Sequence, residues 1–229
     1  RLVDLGLYSS VSEAVRDAIR LLLEKLDLKA LALDLYTTRE ASLSYVVEFS
    51  GETYDSMIDY MLSRGIPPVI GSTSPDDVGV LEGPVVVDPL TVYVMYKSYL
   101  VDLALKLNDG GLKFYTPLAM EPQIQVLEAI RARGGLSSRS FIDYVDVYVE
   151  EEELYTRTLI APVERALVSY ARSEGLTLLS DDVRVRAYAS RLGVKALSSL
   201  SIVETYTARY GKPHNVEEVV LSLKAIPVI

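Results

Sequence analysis

Residues Leu176 to Ser199 read LTLLSDDVRVRAYASRLGVKALSS. The four opening residues predict a short buried strand, and the spacing of apolar residues from Asp182 onward predicts a helix. Carboxylates at the exit of a strand in an alternating α/β chain lie where such folds place their active sites. Ser180 or Asp181 would equally serve as the N-cap of the following helix. The local pattern leaves both interpretations open.

Bulk composition describes an ordinary globular chain. It has 229 residues, of which 49% are hydrophobic and 24% charged, enough for one large domain or two modest ones. No run approaches the roughly 20 apolar residues of a membrane span, so we expect no membrane partner. The chain begins at Arg1 rather than Met and shows no signal peptide, so we expect that upstream sequence is missing.

The residue types that are scarce narrow the possible chemistry. Cysteine is absent, which excludes thiolate metal sites and cysteine nucleophiles and favours a cytoplasmic location. His214 is the single histidine, so histidine triads and zinc sites are nearly excluded and carboxylates must carry any reaction. Two asparagines and two glutamines hint at a thermophilic source. A net charge of −9 argues against broad nonspecific nucleic-acid binding but allows a local basic site.

The segment GSTSPDDVGVLEG, residues 71–83, predicts a linker or a long loop between two parts of the chain. Residues 1–70 form the first part, and their apolar spacing predicts helices throughout. Two short helical patterns meet at Gly51 within this part, which is the pattern of a helix-turn-helix. Residues 84–229 form the second part.

In the second part, predicted strands and helices alternate. Strands are predicted at residues 84–88, 112–117, 176–179 and 195–199, and helices at residues 91–107, 120–132, 139–155, 162–173 and from 182 onward. Strands separated by helices indicate a parallel sheet with helices on both faces. The predicted fold class is therefore α/β, preceded by an all-α segment.

Two motifs in residues 1–70 resemble prokaryotic antitoxins. LGLYSSVSEAVRDAIRLLLEKL is similar to the second half of a ribbon-helix-helix DNA-binding antitoxin, although the strand that enters the major groove would precede Arg1. DLYTTREASLSYVVEFSGETYDSMIDYMLSRGIP resembles a small family of helix-turn-helix antitoxins. The resemblance implies a domain that binds DNA and forms a homodimer or a higher homo-oligomer.

Three blocks in residues 84–229 resemble a PIN domain, the nuclease fold of the partner toxins. They are VVVD, VERALVSYA and the stretch quoted at the start of this section. The resemblance implies an RNA substrate and an endoribonuclease that depends on Mg²⁺ or Mn²⁺. The whole chain then looks like an antitoxin fused to its own toxin-like domain.

The resemblance also implies a set of site residues. Asp88, Glu164 and Asp182 match the carboxylates that hold the ion and carry the reaction, with Ser180 and Asp181 as accessory residues. Hard carboxylate oxygens are the ligands that Mg²⁺ and Mn²⁺ prefer. Arg184, Arg186 and Arg191 follow the aspartates and would either contact phosphate or pair with the acids.

Two positions depart from the PIN pattern. The family places a glutamate in the helix after its second strand, but the matching position here is Gln123, and the nearby Glu121 is out of register. After Asp88, only Thr91 offers the hydroxyl that the family commonly supplies two residues along. Losing one carboxylate weakens divalent-ion binding. The alternative is therefore a PIN fold that has lost catalysis and acts as a DNA-binding or assembly regulator.

Overall fold

The computed structural model describes residues 3, 5–136, 139–148 and 158–213, without the side chains of residues 23–25. Over these residues the helices are α1 (Val11–Lys25), α2 (Leu28–Thr38), α3 (Leu43–Ser50), α4 (Tyr54–Ser63), α5 (Pro89–Lys97), α6 (Leu100–Asp109), α7 (Glu121–Arg133), α8 (Pro162–Glu174), α9 (Val183–Arg191) and α10 (Leu200–Tyr210). The strands are β1 (Val85–Val87), β2 (Phe114–Pro117), β3 (Ile142–Val145), β4 (Thr177–Leu179) and β5 (Ala196–Leu197).

The five strands form one parallel sheet in the order β3-β2-β1-β4-β5. β1 lies at the centre, with Val85 opposite Phe114 of β2 and Val87 opposite Leu179 of β4. All three residues of β1 are buried valines, as expected for a parallel strand covered on both faces. The predicted α/β class with a parallel sheet is confirmed.

Helices cover the two faces of the sheet in unequal numbers. One face packs against α5, α6, α7 and α10 in an apolar cluster that includes Phe114 and Leu100. The other face packs Val86 and Leu178 against α8 and α9. A third cluster joins α2, α3 and α4 to Leu90 and Val94 of α5, so these three helices pack directly onto the α/β part.

The predicted linker, residues 71–83, is held closely against the α/β part. The Leu81 N–H donates to Thr205 Oγ1 at 2.9 Å, and the Ser198 N–H donates to the Asp77 carbonyl at 2.7 Å. Asp77 also pairs with Arg186, whose side chain is only 5% exposed. These bonds hold the segment that joins α1–α4 to the sheet.

Two predicted helices differ in the structure. The prediction of a helix over residues 139–155 is wrong in its described part, because Ile142–Val145 forms β3, while residues 149–157 lie outside the described residues. Pairing with β2 decides this strand, and a local pattern does not show its partner. The helix predicted over residues 91–107 is two helices, because Ser98 is extended and its hydroxyl bonds to backbone at Met95 and Leu100.

Candidate functional site

The three acids that the sequence singled out meet at the carboxyl edge of the sheet. Asp88 directly follows β1, and Asp182 lies three residues beyond the end of the neighbouring strand β4. The Asp88 N–H donates to the Leu179 carbonyl at 3.1 Å, which holds the two strand ends together. Glu164 is the third residue of α8. Ends of adjacent parallel strands lie at one edge of a sheet, as in the active sites of open α/β folds.

Each acid accepts a backbone hydrogen bond at the start of a helix. Asp88 Oδ1 accepts from the Thr91 N–H at 2.6 Å at the start of α5. Asp182 Oδ1 accepts from the Arg184 N–H at 2.8 Å, and Glu164 Oε2 accepts from the Ala161 N–H at 3.1 Å. The positive ends of three helix dipoles therefore point at the cluster and favour its negative charge.

Burial opposes that charge. Asp88 and Glu164 are fully buried and Asp182 is 2% exposed. Burial raises the pKa of Asp88 to about 7, although the nearby Ser180 hydroxyl and the Thr91 N–H oppose the rise. Burial also raises the pKa of Asp182. The pKa of Glu164 is raised by burial and then by the negative charges of Asp182 and Asp88, so the three carboxyls act on one another.

The segment between α2 and α3 covers this acid cluster. The Ser42 hydroxyl donates to Glu164 Oε2 at 2.6 Å, and the Leu43 N–H donates to Asp182 Oδ2 at 2.7 Å. Ser42 is also the N-cap of α3, where its Oγ accepts from the Tyr45 N–H at 3.2 Å. We call these two donors the Ser42–Leu43 cap. They place the positive end of a fourth helix on the buried acids.

Arg184 holds the segment that carries the cap. Its guanidinium donates to the carbonyl oxygens of Tyr36, at 2.9 Å, and of Ala41. The same guanidinium lies 3.7 Å from the centre of the Tyr36 ring, within the range of a cation–π interaction. Arg186 instead bonds to Asp77 and to the Ser180 carbonyl. Both arginines therefore hold chain segments around the acid site.

Two acids of the cluster have an oxygen left without a donor. Asp88 Oδ2 and Glu164 Oε1 are buried and accept no hydrogen bond from the described residues, and the same holds for Asp181 Oδ2. Such oxygens are chemically suited to a hard cation. Even so, no three aspartate, glutamate or histidine side chains in the described ranges are arranged to hold a metal ion. In this arrangement the Ser42–Leu43 cap takes up Glu164 Oε2 and Asp182 Oδ2.

The accessory residues have different positions. Asp182, and neither Ser180 nor Asp181, is the N-cap of α9, so the expected capping role of the two earlier residues is wrong. Asp181 Oδ1 accepts from the Ser199 N–H at 2.9 Å and fastens the chain after β5. Ser180 lies within the turn, where its Oγ accepts from the Asp182 N–H at 3.3 Å.

Glu121 and Gln123 stand apart from the buried acids. Both lie in the first turn of α7, where Glu121 is half-buried and Gln123 exposed. The Glu121 carboxylate accepts from Gln125 of its own helix at 3.3 Å. A 3-10 turn over Leu118–Met120 separates the end of β2 from α7. Neither side chain supplies the carboxylate that the PIN pattern would place beside Asp88.

Sequence reasoning missed the partners that cover the acids. The contact between Ser42 and Glu164 spans 122 residues, so no local pattern predicts it. Arg184 was a candidate for phosphate contact or acid pairing. In the structure it bonds to carbonyl oxygens instead.

The helix-turn-helix pattern corresponds to α3 and α4, which meet at Gly51 in the left-handed conformation (φ 70°). The exposed side of α4 carries Asp55 and Asp59, whose carboxylates would repel DNA phosphates. DNA binding through this region stays a prediction. In the described ranges, no helix has the length and apolar character to cross a bilayer.

Comparisons of the chain with protein-family models, with curated proteins and with solved structures found no match.

Proposed function

We propose that the protein is a fused toxin–antitoxin-type protein whose α/β part is a PIN-like, metal-dependent ribonuclease kept latent by its own antitoxin-like region. The observation that carries the proposal is the Ser42–Leu43 cap on Glu164 and Asp182. Residues 1–70 then act as an antitoxin within the same chain. The proposed substrate is RNA in the cytoplasm, and DNA binding by the same region is the regulatory half of the proposal.

The acid cluster supports a nuclease better than a structural role. Burying carboxylates costs stability, and carboxylates with raised pKa values cluster at functional sites. Asp88, Glu164 and Asp182 together offer the oxygen ligands that Mg²⁺ or Mn²⁺ would take. The cap already occupies one oxygen of Glu164 and one of Asp182. We therefore assign ion binding and cleavage to the uncapped protein.

A double variant at Ser42 and Leu43 removes both donors of the cap, and it also removes the N-cap hydrogen bond of α3 and the buried Leu43 side chain. Leu43 is the first residue of the helix, where proline is well tolerated, and Ser42 has the extended backbone (ψ 155°) that a residue before proline prefers. Leu43→Pro in a Ser42→Ala background removes both donors. Because the Leu43 side chain is buried, Leu43→Ala in the same background is the matched control that loses the side chain but keeps the N–H.

The assay follows cleavage of a pool of labelled single-stranded RNAs with Mg²⁺, with Mn²⁺ or with EDTA. We expect metal-dependent cleavage by the uncapped variant, weaker cleavage by the control and the least by the wild type. Adding Asp88→Asn to the uncapped variant should abolish it. If the folded uncapped variant cleaves no RNA with either ion, or if Asp88→Asn leaves cleavage unchanged, the nuclease proposal fails.

A second candidate function is a PIN-like fold without catalysis that serves regulation or assembly. Two observations favour it: in the part of the chain that the structure describes, no group is arranged to hold a metal, and Gln123 replaces the expected glutamate. Isothermal titration of the uncapped variant with Mn²⁺ distinguishes the two. Absence of binding that depends on Asp88 supports the non-catalytic candidate.

A further inference from the structure

Helix α1 is amphipathic, and its apolar face is exposed to solvent. Among its described side chains none is buried, and its apolar stripe is exposed by 70% at Val11, 51% at Val15, 52% at Ile19 and 58% at Leu22. An isolated helix of 15 residues is marginal in water and gains most of its stability by packing its apolar face. This helix therefore requires a partner surface.

The same chain carries an open apolar trough. A cavity of about 850 Å³ adjoins a second of about 700 Å³. The two share the lining residues Asp55, Tyr93, Tyr96, Lys97, Ile130 and Arg131. α4 and α7 provide the walls of the trough, and α5 provides its floor. Val126 and Ile130 of α7 line it at 59% and 58% exposure, and Leu62 of α4 lines it at 42%.

The trough has the dimensions of a helix site. Its lining follows α7 from Pro122 to Arg131 and continues to Gly134 and Leu136, and Pro122 to Gly134 corresponds to roughly 18 Å at 1.5 Å per residue. The 15 residues of α1 span roughly 22 Å by the same measure. An amphipathic helix laid between two helices on an apolar floor is a common mode of recognition.

Charge supports the same pairing. Arg16 is exposed and flanks the apolar stripe of α1. The α3–α4 side of the trough carries the exposed carboxylates of Glu48 and Asp59, which line it. Lys97 and Arg131 also line the trough, so charge can orient a docked helix through Arg16 opposite Glu48 or Asp59, while the apolar surfaces supply the attraction.

The α1 of the same chain does not fill this trough. Only Leu26 and Asp27 separate α1 from α2. The start of α2 is fastened at the trough edge, because Lys29 donates to Ser56 at 3.2 Å and pairs with Glu52 at 2.9 Å. A short connection of this kind favours exchange of the helix between two copies over folding back onto its own chain.

We propose that α1 of each copy docks into the trough of a second copy, giving a closed dimer in which two helices are exchanged. Each copy then covers its exposed apolar helix and its exposed apolar trough at the same time. The exchange is reciprocal about a two-fold axis, so assembly stops at the dimer.

Two charge-introducing variants test the two surfaces. Val126→Glu places a carboxylate in the trough, and Ala129→Glu, on an exposed position of α7 outside the trough lining, is its control. Ile19→Glu places a carboxylate in the α1 stripe, with Ser12→Glu as its control. Circular dichroism and thermal melting verify that each variant is folded. Sedimentation equilibrium then gives the mass and the dissociation constant.

Wild type and both controls should sediment at twice the 25.3 kDa chain mass. Each test variant should dissociate with a constant raised by about tenfold or more. Mixing the two test variants should restore dimers, because one intact helix then meets one intact trough. A wild-type monomer overturns the proposal. So does a Val126→Glu dimer as tight as wild type beside a monomeric Ile19→Glu, since that result shows α1 pairing with α1.

Discussion

Replacing Asp88 with asparagine should remove a large part of the pH dependence of stability. Burial raises the pKa of Asp88 from 3.8 to about 7, so the folded protein keeps a proton that the unfolded chain has released above pH 4. Unfolding then releases protons between about pH 4 and 7. The free energy of unfolding therefore falls as the pH rises through this window. Asparagine keeps the shape of the side chain and cannot release a proton.

The size of the effect follows from the shift. Each unit of pKa difference corresponds to about 1.4 kcal/mol, so Asp88 alone accounts for roughly 4 kcal/mol over the whole window. Between pH 5 and pH 8 its share is roughly 2 to 3 kcal/mol. Glu164 and Asp182 add changes of the same sign, because the pKa of each is also raised. Removing the Asp88 charge lessens the rise at Glu164 as well.

Urea titrations at pH 5, 6, 7 and 8, in EDTA so that no divalent ion binds, measure the free energy of unfolding. Wild type should lose stability steadily over this range, and Asp88→Asn should lose roughly 2 to 3 kcal/mol less. At pH 8 the variant should be the more stable protein, because the wild type then buries a charge.

Asp143→Asn is the matched control. Asp143 follows Ile142 in β3, its side chain is 58% exposed, and Lys113 lies 3.8 Å away. Its replacement should leave the pH dependence of stability as in wild type. Two results would contradict the prediction. One is the same pH dependence of the free energy of unfolding in Asp88→Asn and wild type, and the other is a wild type that becomes more stable as the pH rises from 5 to 8.

Three further predictions concern the contacts around the site. Arg184→Ala should lose about 2 to 3 kcal/mol of stability and make residues 1–70 more sensitive to limited proteolysis, because the contacts of Arg184 with Tyr36 and Ala41 are lost. Arg191→Ala, at an exposed position of the same helix, should have neither effect. Arg186→Ala should lose about 2 to 3 kcal/mol in urea unfolding because it removes the bonds from Arg186 to Asp77, Gly71 and Ser180; a loss below 1 kcal/mol contradicts this. Mg²⁺ should leave the melting temperature of wild type unchanged and raise that of the uncapped Ser42→Ala/Leu43→Pro variant, and equal shifts in both would argue against the cap.

Much of the acid site could be predicted from local sequence. Asp88 and Asp182 each follow an apolar strand, and a chain of alternating strands and helices forms a parallel sheet whose strand ends share one edge. Glu164 lies three residues beyond Ala161 at the start of α8, so its backbone contact there is local as well. These features depend on interactions within a few residues or on the repeat of the sheet.

Other features had no local signal. β3 is a strand because it pairs with β2, although its own sequence was predicted to form a helix. Gln123 was correctly placed in the helix after the second strand, but only the structure shows that this helix turns its first residues toward the surface. Pairing and packing with distant segments decide such cases.

Local patterns were enough to predict the α/β alternation, the acids at the strand ends and the helices before the sheet. Hydrophobic periodicity and helix-capping residues act over a few positions, so they can be recognised without the fold. The burial of the acids, and the contacts of Ser42 and Leu43 with them, depend on the tertiary structure. The Leu43–Asp182 bond joins residues 139 positions apart. Such a contact arises from the packing of α2, α3 and α4 onto α5, so the same acids are an open site or a closed one according to how distant segments pack.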